Sequence, residues 1–251
     1  MAGLVGDPIT KKYPKLSKYH NLSYISQILK LLKKNKDLSK FIFISTCSNY
    51  GLIKKNILAK ENYKLKPLSL YAKQKVKIEN ILLKSEYKKI NPVILRFATA
   101  FGLSPRMRFD LTVNQFTKSL FLKEKLEVYD PETWRPYCHV KDFCRLILIV
   151  IKSKNSKIIG NVFNAGGNSN NFTKKGIIQL IKKNIKKTKI TYKKFDVDPR
   201  NYKVDFSKVK KFLNFKPKYS VEYGIKEIIN ALKNKKIRNL NKKNLFGNYK
   251  I

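Results

Sequence analysis

Phe41-Ile42-Phe43-Ile44-Ser45-Thr46-Cys47-Ser48-Asn49-Tyr50-Gly51 is the stretch that decides the fold. Its first four residues are apolar without alternation, which fits a short strand buried on both faces. The hydroxyls and amide that follow crowd the strand's carboxyl end, where ligands bind in parallel sheets. They are either a site wall or a polar strand-to-loop turn. Working outward, Leu22, Ile25, Ile28, Leu29 and Leu32 recur at helical spacing within a helix expected over Leu16 to Asn35. On the other side Pro67 is expected to open a helix running to about Lys88, a favoured place for proline. Pro92 to Phe97 (PVILRF) reads as a second buried strand. Beyond it the pattern predicts helices over Asp110 to Phe121, Lys141 to Lys152, Thr173 to Lys187, Ser207 to Leu213 and Val221 to Lys233. Strands are expected over Leu126 to Tyr129, Asn161 to Asn164 and near Ile190 to Lys193. Apolar strands alternating with helices predict an α/β fold, a parallel sheet covered on both faces. The Lys/Asn-rich tail from Asn234 onward is expected to fray.

The 251 residues carry 56 Lys+Arg against 16 Asp+Glu, a net charge of +40, with 43% apolar residues. That apolar share excludes a disordered basic tail. No apolar run is long enough to span a membrane. Met1 to Thr10 lacks the basic-then-apolar pattern of a secretory signal. Cys47, Cys138 and Cys144 offer neither a disulfide framework nor metal-ligand spacing, so a reduced, cytoplasmic protein is expected. The charge at first suggests nucleic acid. Its distribution argues otherwise: the excess is +11 in residues 151–200 and again in 201–251, but only +2 in 101–150. Only seven of the basic residues are Arg, whose planar fork suits phosphate clamps and base edges; the other 49 are Lys. A solvated lysine surface is the favoured account, and nucleic acid is not the expected partner.

Two further motifs carry chemistry. Tyr71-Ala72-Lys73-Gln74-Lys75 sets a tyrosine and a lysine four residues apart, on one face of the predicted helix. An ammonium beside a phenol is expected to favour the phenolate and lower the tyrosine's pKa. Alone the motif is weak in so lysine-rich a chain. Trp134-Arg135-Pro136-Tyr137-Cys138-His139-Val140-Lys141-Asp142 precedes the Lys141 helix. In it Arg135 is a candidate phosphate clamp, His139 a structural histidine near the helix start, and Asp142 a support for that helix N-terminus.

Order and spacing together make the chain resemble the NAD(P)-dependent nucleotide-sugar epimerase/dehydratase family, the extended short-chain dehydrogenase/reductases. Ala2 to Pro8 is similar to the family's loop after its fourth Rossmann strand. Asn21, Ser45 to Gly51, Pro67 to Tyr71, Leu95 to Gly102, Arg135 to Asp142, Asn164 to Gly166, Asp205 to Lys208 and Phe215 to Pro217 continue the likeness, as does the Thr46-to-Tyr71 separation. The resemblance implies a Rossmann-like parallel sheet in 1–103, completed by about 135–165. A smaller substrate-binding part would comprise 104–134 and 166–233, with 234–251 as a basic tail. It implies Tyr71 as the acid/base, Lys75 binding the nicotinamide ribose, and Thr46 bonding the same sugar oxygen. Ala2 and Gly3 would lie along NAD or NADP. Thr99 would contact the sugar, and Asn114, Arg135 and Arg200 would hold the nucleotide diphosphate, with Arg106 and Arg108 as further candidates. The partner would be a nucleotide-diphosphate sugar; a homodimer remains open.

Two departures matter. Where dehydratases of the family carry Asp-Glu after the Thr, this chain has Cys47-Ser48, which disfavours 4,6-dehydration. No Gly-x-x-Gly-x-x-Gly occurs in the 251 residues. That turn brings backbone N–H groups to the pyrophosphate, so the reading is of an N-terminally truncated enzyme with an unpaired strand edge. The alternative is a non-catalytic remnant or a basic polyanion binder, whose affinity would fall steeply with salt. The 251-residue polypeptide is accordingly expected to bind NAD more weakly than the micromolar range. Calorimetry is the check, and a micromolar dissociation constant would contradict this reading.

Overall fold

A computed structural model of the chain describes residues 3–35, 37–54, 56–194, 200–240 and 245–247. In chain order, α1 (Asp7–Lys12), α2 (Pro14–Lys18) and α3 (Tyr24–Leu32) lead into β1 (Phe41–Thr46) and the short β2 (Leu58–Ala59). Then come α4 (Leu70–Leu82), β3 (Pro92–Phe97), β4 (Thr99–Phe101), α5 (Thr112–Phe121), β5 (Leu126–Tyr129) and β6 (Trp134–His139). They are followed by α6 (Val140–Lys152), α7 (Asn155–Ile158), β7 (Val162–Ala165), β8 (Asn171–Thr173), α8 (Lys174–Lys182) and β9 (Ile190–Lys193). The order closes with β10 (Lys203–Val204), α9 (Ser207–Leu213) and α10 (Val221–Lys233).

The main sheet has the order β1-β3-β7, all parallel. All six residues of β3 are buried, because the two faces of the strand go to two different cores. Ile94 joins Leu29 of α3 and Ile78 and Leu82 of α4 on one side. Val93, Leu95 and Phe97 join Leu146 and Val150 of α6 and Val209 and Leu213 of α9 on the other. This is the doubly covered parallel sheet that the unalternating apolar runs imply. Among the described residues β1 has one ladder partner, β3. A further core gathers Phe101, Val113, Leu120, Val128, Ile177 and Ile225 around the smaller sheets β4-β6-β8 and β5-β9.

Several boundaries differ from the sequence reading, each for a local reason. The helix expected over Leu16 to Asn35 is broken: Pro14 starts α2, and a π-helical turn over Tyr19–Ser23 precedes α3, which ends at Leu32. Within that turn Asn21 spends its amide on Leu4, accepting from the Leu4 N–H and donating to its carbonyl, both at 2.9 Å. Pro67 does not open α4. Ser69 caps it, its Oγ accepting the Ala72 N–H at 3.2 Å, and the helix stops at Leu82 before a 3₁₀ segment, Ser85–Ile90. Trp134 to His139, expected as a lead-in to a helix, is strand β6. It runs antiparallel to β8 as far as Pro136 and parallel to β4 from Tyr137. Its period is hidden because five of its six residues are buried, Arg135 and His139 included. Of the tail expected to fray, residues 241–244 and 248–251 lie outside the described residues, and Phe246 packs against Phe109, ring centroids 5.2 Å apart.

A buried polar network ties the sheet to α4. Arg96 of β3 and Glu79 of α4, 4% and 1% exposed, meet at 2.7 Å, with Nε donating to both carboxylate oxygens at 3.1 Å. Ser45 and Asn49 also donate to Glu79. Arg96 Nη1 donates to the Tyr50 hydroxyl and the Glu61 carbonyl, and Tyr50 donates to Asn164 Oδ1 at 2.7 Å. Removing one member of such a pair strands a buried charge. Glu79→Ala is therefore expected to cost about 3–5 kcal/mol in urea unfolding. Lys33→Ala, in the exposed Lys33–Glu86 pair, should cost less than about 1 kcal/mol. Equal costs for the two would remove the network from its structural role.

Candidate active site

The site is assembled at the carboxyl ends of β1 and β3. Thr46 closes β1, and its Oγ1 accepts the Ser48 N–H at 3.1 Å, capping the 3₁₀ turn Cys47–Tyr50. Tyr71, Lys75 and Glu79 recur every four residues along one face of α4. Glu79 anchors the buried end of that face. Lys75 Nζ donates to the Ile44 carbonyl at 2.7 Å, two residues before Thr46, and lies 4.8 Å from the Phe43 ring centroid and 5.7 Å from that of Tyr71. Tyr71 therefore sits at the open end of a face whose rotation is fixed by two contacts below it.

The electrostatics correct one expectation. Tyr71 is not lowered: burial pushes its phenol up to about 12, with the Arg108 charge drawing it partly back. Burial also pushes the Lys75 ammonium down to about 8, against the pull of Glu79. At both groups desolvation outweighs the neighbouring charge. Among the described residues the Tyr71 hydroxyl makes no hydrogen bond, and Lys75 uses one of its three donors.

A second cluster gathers around the 200–202 segment. Arg135 donates to the carbonyls of Trp134, at 2.8 Å, and Arg200, and its guanidinium lies 4.9 Å from the Tyr202 ring centroid. Arg200 pairs with Asp7, so a carboxylate already sits on this guanidinium. The Tyr202 hydroxyl meets Ser48 Oγ at 3.2 Å and joins this cluster to the end of β1. Tyr137 is buried beside Thr112 at the start of α5, and burial pushes its phenol up to about 12.

The remaining predicted residues fall as follows. Ala2 lies outside the described residues. Gly3 has φ near +147°, and a Cβ there would come within 2.5 Å of Asn21 Oδ1, so the close approach requires glycine. Thr99, half-buried, opens β4 opposite Tyr137. Asn114 is buried and braces the loop after β4, accepting from the Gly102 N–H and donating to the Arg108 carbonyl, both at 2.9 Å. Arg108 forms a two-bond pair with Asp110, and Arg106 lies further out near Gly247.

His139 has the structural role expected. It caps α6, Nδ1 accepting the Lys141 N–H at 3.1 Å, which leaves the proton on Nε2 for Glu227 Oε2 at 2.9 Å. Burial keeps the imidazole below its usual pKa. Gly102, at φ near +103°, passes over this ring where a Cβ would meet Nε2 at 2.2 Å. Asp142 does more than support α6: it accepts the N–H groups of Lys218, at 3.1 Å, and Tyr219, at 3.0 Å, ahead of α10. The sequence reading missed Glu79, Glu61, Tyr202 and Glu227 as supports of the site. For the three glutamates the available signal was scarcity, since acidic residues are few in this chain. Glu79 also continues the Tyr71, Lys75 spacing by one more turn.

A tyrosine–lysine pair thus lies on one helix at the carboxyl end of a parallel sheet. Residues 1–166 match the model of the NAD dependent epimerase/dehydratase family, and the chain belongs to that family. An uncharacterised protein of Methanocaldococcus jannaschii is 33% identical over 202 residues, 77% of this chain and 59% of the relative. The UDP-glucuronate 4-epimerase of Thermodesulfobacterium geofontis is 30% identical over 217 residues, 83% of this chain and 64% of that protein. The chain thus spans roughly three-fifths of the length of these curated relatives. The crystal structure of UDP-glucuronic acid 4-epimerase from Bacillus cereus, with UDP-glucuronic acid and NAD, superposes with a TM-score of 0.80 at 27% identity. It covers 93% of this chain and 74% of that one. Among the described residues no helix is long and apolar enough to cross a membrane, and no group of three or more metal-ligating side chains is assembled.

The Lys75 shift fixes a pH dependence. Below about pH 8 both folded and unfolded chains hold this proton, and the cost of burying the charge is fully present. Between about 8 and the ordinary lysine value of 10.5 the unfolded chain binds more protons, so Lys75's contribution to stability rises with pH. The stability of the wild type relative to Lys75→Met should be flat below about pH 7 and climb through that window. Urea midpoints at a series of pH values test it, and a difference that does not change with pH would refute the shift.

Proposed function

We propose that this chain carries the proton-transfer and nucleotide-sugar half of an NAD(P)-dependent nucleotide-sugar epimerase or keto-reductase. The observation that carries the reading is the Tyr71–Lys75 pair, set on the Glu79-anchored face of α4 beside the hydroxyl end of β1. Tyr71 takes the proton from a sugar hydroxyl and returns it. Its unpartnered phenol is open to that exchange. Thr46 donates its hydroxyl to the same oxygen. Lys75, with two donors left over, fits the diol of a nicotinamide ribose and draws proton density from Tyr71 once its charge is held there. NAD or NADP supplies the hydride acceptor and donor when bound. The residues present fit its nicotinamide-ribose end. The pyrophosphate end finds no Gly-rich turn in the 251 residues.

Arg135 and Arg200, with Asn114 near the start of α5, are the side for the nucleotide diphosphate. A diphosphate would displace Asp7 from Arg200. Thr99 faces the sugar, and Arg108, whose charge already acts on Tyr71, closes the site from the loop after β4. Dehydration is disfavoured by the two residues after Thr46. The Cys47 thiol donates to the Arg96 carbonyl inside the core, and burial raises it far above the range of an acid. Ser48 is engaged by Tyr202.

The test is turnover of UDP-glucuronic acid to its 4-epimer by the 251-residue chain with NAD in large excess, alongside calorimetric binding of UDP. Tyr71→Phe should lower kcat by about 10²–10⁴-fold and leave UDP affinity unchanged. Full turnover by this variant, or no UDP affinity in the wild type, would overturn the reading.

A further inference from the structure

The loop between β4 and α5 carries Arg106 and Arg108, and its inner side is well tied. Asn114 holds Gly102 and Arg108, and Glu227 accepts the Leu103 N–H at 2.9 Å. The outer side is held from an unexpected place. The Phe246 carbonyl accepts the Phe109 N–H at 2.8 Å, and the Phe246 ring packs with Met107, Phe109, Ile228 and Leu232. The Gly247 carbonyl lies 3.5 Å from the Arg106 guanidinium. The segment expected to fray therefore straps the loop whose Arg108 acts on Tyr71. A cavity of about 630 Å³ lies between strap and loop, with Arg106, Lys236 and Arg238 among its lining.

We propose that Phe246 is a positioning residue that seats the loop after β4 and thereby sets the affinity of the site for a nucleoside diphosphate. The proposal rests on the nucleotide-sugar reading above. Without the ring, the loop keeps its inner ties but loses the apolar cover that fixes its outer half. Arg106 and Arg108 then sample positions away from the anion, and a misplacement on the scale of 1 Å is enough to be felt.

The experiment compares wild type, Phe246→Ala and Phe246→Tyr. Binding of UDP is measured by calorimetry, and trypsin cleavage after Arg106 and Arg108 is followed by mass spectrometry without ligand. Phe246→Ala should raise the UDP dissociation constant about tenfold and speed cleavage at both arginines, with Phe246→Tyr restoring both. Phe246→Leu, which removes the ring but keeps part of the apolar bulk, replaces the alanine variant if that one does not fold, with smaller increases in cleavage and in the UDP dissociation constant expected. Unchanged cleavage in the alanine or leucine variant overturns the clamp. Faster cleavage with unchanged UDP affinity overturns its link to binding. A wild type that binds no UDP overturns the nucleotide-sugar reading and the affinity claim with it, while the cleavage arm still decides whether Phe246 holds the loop.

Discussion

The rest of the structure depends on the ion pair between Glu79 and Arg96. Burying two charges costs several kcal/mol per ion unless geometry and extra hydrogen bonds offset it. Here the guanidinium meets the carboxylate through two nitrogens, and its remaining donors reach Tyr50 and Glu61. Ser45 and Asn49 complete the carboxylate. The pair fixes the rotation of α4 on the sheet. A shift by one residue turns a helix by about 100° and would carry Glu79 away from Arg96, taking Tyr71 and Lys75 with it. The face that carries Tyr71 and Lys75 and the face that anchors the helix are the same face.

Much of this was legible in the sequence, and the limits are physical. The strands β1 and β3 were readable because burial on both faces removes polar residues and leaves FIFI and PVIL. The tyrosine and lysine of α4 were readable because helical spacing is strict. Strand β6 was not, since its burial is achieved partly by polar groups: Arg135 finds carbonyls and an aromatic ring, and His139 finds Glu227. A pattern method sees those residues as exposed. The break in the first helix was equally hidden, because Asn21 acts on Leu4, seventeen positions away. The direction of the Tyr71 shift depended on how much water the fold removes, which spacing does not report.

The charge takes on a different meaning beside the structure. Several lysines set the ammonium over an aromatic ring, as Lys203 does over Trp134 at 4.0 Å and Lys33 over Tyr87 at 4.4 Å. The abundant tyrosines and phenylalanines thus accommodate the lysines. Arginine is used where planarity matters: Arg96 in the core, Arg135 over Tyr202, and Arg145 against the buried Asp142.

Pro136 marks the residue at which β6 exchanges an antiparallel neighbour for a parallel one. A proline has no N–H to offer, so a strand that slid by one position would carry it into the middle of one ladder or the other and lose a bond there. The strand is thereby locked in phase. Arg135 and Tyr137, on either side, keep their places relative to the Tyr202 ring and to the start of α5. A residue with no N–H to donate sets the alignment of two neighbours that have one.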